Sequence, residues 1–168
     1  VQRAFPAHFN AVLELVFALV SMSSGVAYFY LPALLGFVPE AYCEDVLTDR
    51  DPRGMNRMPI PSQVIADAQA SGWIPRVRNL LSVFSKIREG CGSGSSFRFQ
   101  TVAIKEAEKL IRLETTSGNC IMVANMGSEP VAMPSAPSGQ VWALGKHAQA
   151  TTLGRFEFVL YCEPSLIE

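Results

Sequence analysis

A chain of 168 residues has room for one domain, or for one small domain and part of another. With 49% hydrophobic against 17% charged residues it builds a core instead of staying disordered. Its net charge of −1 provides no basic field to hold phosphate backbones, which argues against nucleic acid as a partner. The four cysteines, Cys43, Cys91, Cys120 and Cys162, are widely spaced and include no C-x-x-C pair, which argues against a zinc site. Two disulfides in an oxidising compartment and buried free thiols are both open readings.

The chain begins at Val1, and its first residues mix apolar and polar side chains. They do not follow the order of charged start, apolar run and small-residue cleavage site that marks a signal peptide. The start reads as that of a processed product or of a piece of something longer. Residues 15–38 carry no charge, and about 20 apolar residues suffice to cross a bilayer. Against a span stand Ser21, Ser23, Ser24 and Gly25 in its middle, Pro32 beyond them, and the lack of a flanking Lys/Arg cluster. The alternative is a helix on the stripe Phe9, Val12, Leu13, Val16, Phe17 and Val20. It closes near Gly25, and a short aromatic strand over 26–30 follows, buried on both faces. Helix, turn and buried strand make one αβ unit.

Residues 39–63 read as a long loop. Its acidic residues Glu40, Glu44, Asp45, Asp49 and Asp51 lack the spacing of a calcium loop and read as solvated charge. Residues 64–71 are ambiguous, and Gly72 to Pro75 mark a break. Beyond it Val77, Leu80, Leu81, Phe84 and Ile87 predict a helix that ends at Gly90, with Lys86 and Arg88 in its last turn. Residues 91–96 have linker composition. From Phe97 the period becomes two, with short strands expected around 97–100, 111–114, 119–125, 131–133, 140–144 and 156–161. Turn signals at this spacing suggest an antiparallel sheet or sandwich.

Little in the chain points to chemistry. His8 and His147 are its two histidines, both read as surface residues outside any motif. Ser93 in Gly90-Cys91-Gly92-Ser93-Gly94 misses the frame of a nucleophile elbow. No acidic residue ends the buried strand, where Leu31, Pro32 and Ala33 follow. Phe97, Phe99, Trp142, Phe156 and Phe158 read as core, not as a stacking platform. No catalytic, cofactor-binding or metal-binding residue is assigned, and no cofactor is expected.

The order of segments resembles the C-terminal third of the α-amylase family, glycoside hydrolase family 13. Ser21 to Tyr30 is similar to the run into the eighth barrel strand, and Arg50-Asp51-Pro52-Arg53 to the Arg-Asp-Pro segment of glucosidases. Residues 79–88 resemble the last barrel helix. Residues 120–127, followed by Glu129-Pro130-Val131, resemble a strand of the C-terminal β domain. The family's Leu-Pro-Gly-Thr-Pro is replaced by Met22-Ser23-Ser24-Gly25-Val26, and Tyr-Gly-Glu-Glu by Tyr30-Leu31-Pro32-Ala33, without either glutamate. Met55-Asn56-Arg57-Met58 stands where Met-Gln-Trp-Asp is usual.

The resemblance implies an α/β plus all-β fold. Residues 1–90 would be the last βα units of a TIM-type barrel, and 91–168 a C-terminal antiparallel β-sandwich. It implies a non-catalytic interaction scaffold, extracellular or at the cell surface, like the heavy chains of heteromeric amino-acid transporters. Its partners would be the upstream barrel portion of the parent and a membrane transporter light chain. The alternatives are a fragment of an α-glucosidase or amylase-like hydrolase with its catalytic residues upstream, and a small membrane-anchored protein. A partial barrel standing alone would expose the 26–30 strand and be poorly soluble.

Overall fold

A computed structural model describes residues 8–22, 29, 31–36, 60–91, 99–105, 109–147 and 149–168. Four helices precede a sheet. Helix α1 is Phe9–Met22, α2 the single turn Leu31–Leu34, α3 Ser62–Ala70 and α4 Trp73–Gly90. The strands are β1 Phe99–Lys105, β2 Leu110–Thr115, β3 Cys120–Asn125, β4 Val131–Ala132, β5 Val141–Gly145, β6 Thr152–Leu153 and β7 Phe158–Cys162, and a 3₁₀ turn, Pro164–Leu166, follows.

Helix α4 forms where the periodicity placed it and begins slightly earlier, at Trp73. Pro75 is tolerated there because the first turn has no intrahelical partner for its missing N–H. Trp73, Val77, Leu80, Phe84 and Ile87 are its buried side, and Leu81 is only partly buried. Gly90, its last residue, lies against the C-terminal turn: a Cβ there would stand 2.6 Å from Leu166 Cδ2. The two cations of its last stretch tie down other segments. Lys86 donates to the carbonyls of Ile167 and Glu168, and Arg88 to that of Ser21.

Two expectations change, and a third falls almost wholly outside the described residues. The loop predicted to reach Gln63 gives way at Ser62, where α3 begins and buries Val64 and Ala68 one turn apart. The ambiguous stretch after it is thus helical, and Gly72, at φ 73°, makes the corner into α4. Helix α1 buries Val12, Leu13 and Phe17 of its predicted stripe but also Leu15, Ala18 and Met22 off it, while Val16 of the stripe is 40% exposed, as is Leu19. Of the predicted strand over 26–30, only Phe29 is described. It is not in a strand, and its ring meets Phe17 edge-on at 5.5 Å. No described helix is long and apolar enough to cross a membrane.

The main sheet has the order β1-β2-β3-β7-β5, every neighbour antiparallel, and β4 pairs with β6 in a separate ribbon. Both central strands, β3 and β7, are buried along their whole length. Their alternation sends Cys120, Met122, Ala124, Phe158, Leu160 and Cys162 into one core with α1 and α4. Ile121, Val123, Val159 and Tyr161 go into a second, with Leu153 of β6 and Val131 of β4. Helices therefore cover one face and a short ribbon the other. The class is α+β, with a mostly antiparallel sheet. Strand β6 escaped the sequence reading because two residues show no period.

Buried polar groups hold the layers in register. Asn125, with no exposed surface, donates to the carbonyls of Glu129 and Leu153 and accepts from the Gly127 amide. It fastens the end of β3 to the ribbon, and an unmade bond in that setting costs about 1–3 kcal/mol. Tyr161 donates its hydroxyl to the Pro134 carbonyl at 2.7 Å, and burial pushes its pKa up. Cys120 and Cys162 face each other across β3 and β7 and form a disulfide. Cys91 is partly buried at the end of α4, and Cys43 lies outside the described residues. So do residues 92–96 of the expected linker, the start of the strand expected from 97, and the acidic residues of 40–51.

Candidate functional site

The first turns of α1, Arg76 of α4 and the loops around β5, β6 and β7 enclose a cleft of about 640 Å³. That volume is in the range of small-molecule sites. Its walls follow from two backbone requirements. Gly145 ends β5 at φ 89°, and a Cβ there would stand 2.2 Å from the Phe158 carbonyl oxygen. Only glycine lets the chain pass this close to β7, and the next amide, of Lys146, then donates to that same oxygen at 2.7 Å. Phe156 adopts φ 61°, a left-handed conformation that costs a bulky residue about 1–2 kcal/mol. Its amide donates to the Asn125 carbonyl at 2.7 Å, and Glu157 donates to that of Gly154. Asn125 thus stabilises the strained turn that positions Phe156.

The Phe156 ring is nearly buried and is met on two sides. His8 lies edge-on at 5.9 Å between centroids, and the Arg155 guanidinium carbon sits 4.7 Å from the ring centre. A cation over an aromatic face is worth about 0.5–2 kcal/mol.

Two ion pairs flank the ring. Arg76 Nε contacts Glu14 Oε1 at 2.7 Å, with the arginine 61% exposed and the glutamate 18%. Burial holds the Glu14 carboxyl above its usual pKa. Arg76 opposes the shift and Glu157 adds to it. Lys146 Nζ contacts Glu157 Oε1 at 2.7 Å, and the Gly154 amide donates to Glu157 Oε2 at 2.6 Å. Both oxygens of Glu157 are therefore engaged. His147 accepts from the Gln149 amide through Nδ1, which leaves the neutral ring's proton on Nε2. Its ring lies 6.0 Å from that of Trp142, whose Nε1 donates to the Lys146 carbonyl.

The two histidines read as separate surface residues are thus brought to one cleft, His8 half-buried and His147 exposed. No signal in the sequence joined them, because the contact depends on α1 crossing the sheet beside the β5–β6 turn. Trp142, expected in the core, is instead 36% exposed on β5, while Phe156 and Phe158 are buried as expected. Phe97 and Ser93 lie outside the described residues.

Among the described residues the cleft lining includes no Ser, Thr or Cys that could serve as a hydroxyl or thiol nucleophile. Among the described residues no group of three or more His, Cys, Asp or Glu is placed to hold a metal. Cys91 is partly buried, and its thiol pKa is raised by burial and by Glu163, the opposite of what activates a cysteine. The arrangement is equipped to bind and orient a polar ligand. Comparison with protein-family models gave no match, and comparison with curated proteins gave none either.

Proposed function

We propose that this chain is the C-terminal portion of an α-amylase-family-like protein, acting as a non-catalytic interaction scaffold of the transporter heavy-chain type. In this reading the helices before Gly90 are the last of a TIM-type barrel, and the strands after it form the C-terminal β-sandwich domain. The observation that carries the reading is α1, which is apolar on both sides. One side is in the core, and the other leaves Val16 and Leu19 each 40% exposed, with Leu31 and Ile65 also exposed on the neighbouring helices. A helix apolar all round is one with neighbours all round. The upstream barrel portion of the parent is the neighbour this reading supplies.

Two further points favour a scaffold over an enzyme. The positions after Tyr30, where the family keeps acidic residues, hold Leu31, Pro32 and Ala33. The cleft beside Phe156 is lined by two ion pairs and, among the described residues, by no hydroxyl or thiol nucleophile. In a heavy-chain role the protein would sit at the cell surface and hold a transporter light chain. The test uses the parent polypeptide. Incubated with 4-nitrophenyl α-glucoside it should release no nitrophenol, and it should co-purify a multispanning membrane subunit in mild detergent. Turnover lost on replacing an upstream Asp would establish the hydrolase reading instead.

A further inference from the structure

We propose that the loop between β4 and β5 is an O-glycosylation site, with Ser135 and Ser138 taking an N-acetylhexosamine from a nucleotide sugar. The sequence there is Met133-Pro134-Ser135-Ala136-Pro137-Ser138-Gly139, and each serine directly follows a proline. Residues 133–137 form neither helix nor strand, and 138–139 make a turn. Both serines are exposed, as are Ala136 and Gly139 beside them. The loop is nonetheless anchored. The Met133 amide donates to the Thr151 carbonyl at 2.9 Å, the Tyr161 hydroxyl to the Pro134 carbonyl at 2.7 Å, and the Gln140 amide to the Pro137 carbonyl at 3.1 Å. The prolines restrict their own backbone and turn the residues before them, Met133 and Ala136, away from helical conformation. The two hydroxyls therefore stand on an irregular, fixed segment that a transferase can read without unfolding the sheet.

Serine and proline interleaved with small residues is the composition of O-glycosylated segments. Other exposed hydroxyls are differently placed. Ser85 donates to Glu89 within α4, Ser71 donates to the Ala68 carbonyl at the end of α3, and Ser165 lies in the 3₁₀ turn. Kinases read charge patterns around the acceptor, and residues 130–145 carry no charge at all. The Cys120–Cys162 cross-link belongs to a chain that passes through an oxidising compartment, where exported proteins meet glycosyltransferases. The inference rests on the extracellular placement proposed above. In the transfer, serine Oγ bonds to the anomeric carbon of the sugar and the bond from that carbon to the diphosphate breaks. The nucleoside diphosphate leaves, and the serine proton goes to a base on the transferase. The sugar adds polar bulk at the start of an uncharged run that ends in β5, where Val141 and Trp142 are exposed.

The experiment has two arms. In one, the folded chain is incubated with UDP-N-acetylgalactosamine and a polypeptide N-acetylgalactosaminyltransferase. In the other, the parent polypeptide is isolated from the cells that make it. After reduction, tryptic cleavage behind Arg112 and Lys146 leaves the loop in one peptide, residues 113–146, whose mass and fragmentation locate any added group. Both arms should give this peptide with N-acetylhexosamine on Ser135, Ser138 or both. Ser135→Ala/Ser138→Ala should bring incorporation down to background, and Ser128→Ala, in the turn before β4, should leave it unchanged. Circular dichroism checks that each variant is folded. A folded chain that accepts no sugar, a sugar placed elsewhere in the peptide, a phosphate in its place, or a bare peptide from the parent overturns the proposal. The cross-link separates this failure from that of the placement. A bare parent with Cys120 and Cys162 joined ends only the glycosylation proposal, and a bare parent with both thiols reduced takes the extracellular placement with it.

Discussion

Helices α1 and α4 pack into the same core, yet only one announced its inward face. In α4 the polar residues Arg78, Asn79, Ser82 and Ser85 mark the wet side, so the apolar stripe is the dry one by elimination. In α1 almost nothing marks a wet side: Asn10 and Glu14 are its only strongly polar residues. A 3.6-residue period locates a face only where hydrophobicity varies around the helix. The predicted stripe was one of several that α1 permits: packing buried its Val12, Leu13 and Phe17, left Val16 at the surface, and buried Leu15, Ala18 and Met22 besides.

The largest effect should come from the legible helix. Phe84 of α4 is 2% exposed, and its replacement by alanine removes a whole ring from the core shared by helices and sheet. Phe84→Ala should cost about 3–5 kcal/mol in urea unfolding. Leu81→Ala, one turn away but only partly buried, should cost clearly less. Equal losses at the two positions would mean that α4 is covered on both sides, as α1 is proposed to be in the parent.

Next is the disulfide beneath those helices. It closes a sequence separation of 42 residues, and a loop of that length corresponds to about 4 kcal/mol in the chain-entropy description. Cys120→Ala/Cys162→Ala should lower stability by about 2–4 kcal/mol while leaving far-UV dichroism native at low temperature. Thiol titration of the wild-type chain under denaturing conditions should find at least two more thiols after reduction than before it. Four thiols without reduction would refute the cross-link.

What was readable in the sequence follows the same rule as the two helices. β3 and β7 carry apolar runs and β2 the alternation Ile111-Arg112-Leu113-Glu114, each near turn residues, and all three were located. Their exact companions were not. The pairing of β7 between β3 and β5, which brings the chain's end into the middle of the sheet, is fixed by long-range burial and leaves no local mark. The two-residue strands β4 and β6 are too short to show a period, yet they cover the second face through Leu153 and Val131. The cleft was illegible for a related reason. Its two histidines come from opposite ends of the chain and the Glu14–Arg76 pair joins two separate helices, so no single stretch carries a motif. The one local sign was Gly145, whose need for a positive φ shows only when Phe158 is in place.

A smaller effect distinguishes the charged edge of α1 from its apolar sides. The Glu14 carboxyl has a folded-state pKa raised chiefly by burial. The folded state therefore holds this proton to higher pH than the unfolded state does, and stability falls as pH rises through the folded pKa. On lowering the pH the gain begins at that raised pKa and is complete below the ordinary carboxylate value of 4.5. Glu14→Gln should remove this component of the pH dependence and raise stability slightly at neutral pH, since Arg76 stays well solvated. If the variant is instead less stable at pH 7 and keeps the wild-type slope, the ion pair outweighs the burial of Glu14.

The smallest effect is the most informative about α1. Val16→Lys/Leu19→Gln changes two positions that are each 40% exposed, and both new residues are good helix formers. In this chain the double variant should lose about 1 kcal/mol or less, because most of the removed apolar surface already faces water. Leu15→Gln, at a position 3% exposed on the same helix, should cost several times more. The contrast would fix the rotation of α1 that its sequence left open. In the parent polypeptide the outcome should reverse: if the upstream barrel covers Val16 and Leu19, the double substitution buries a lysine and a glutamine and destabilises strongly. A parent that tolerates it as well as this chain does would leave the outer side of α1 without the neighbour proposed for it, and the scaffold reading would lose the observation that carries it.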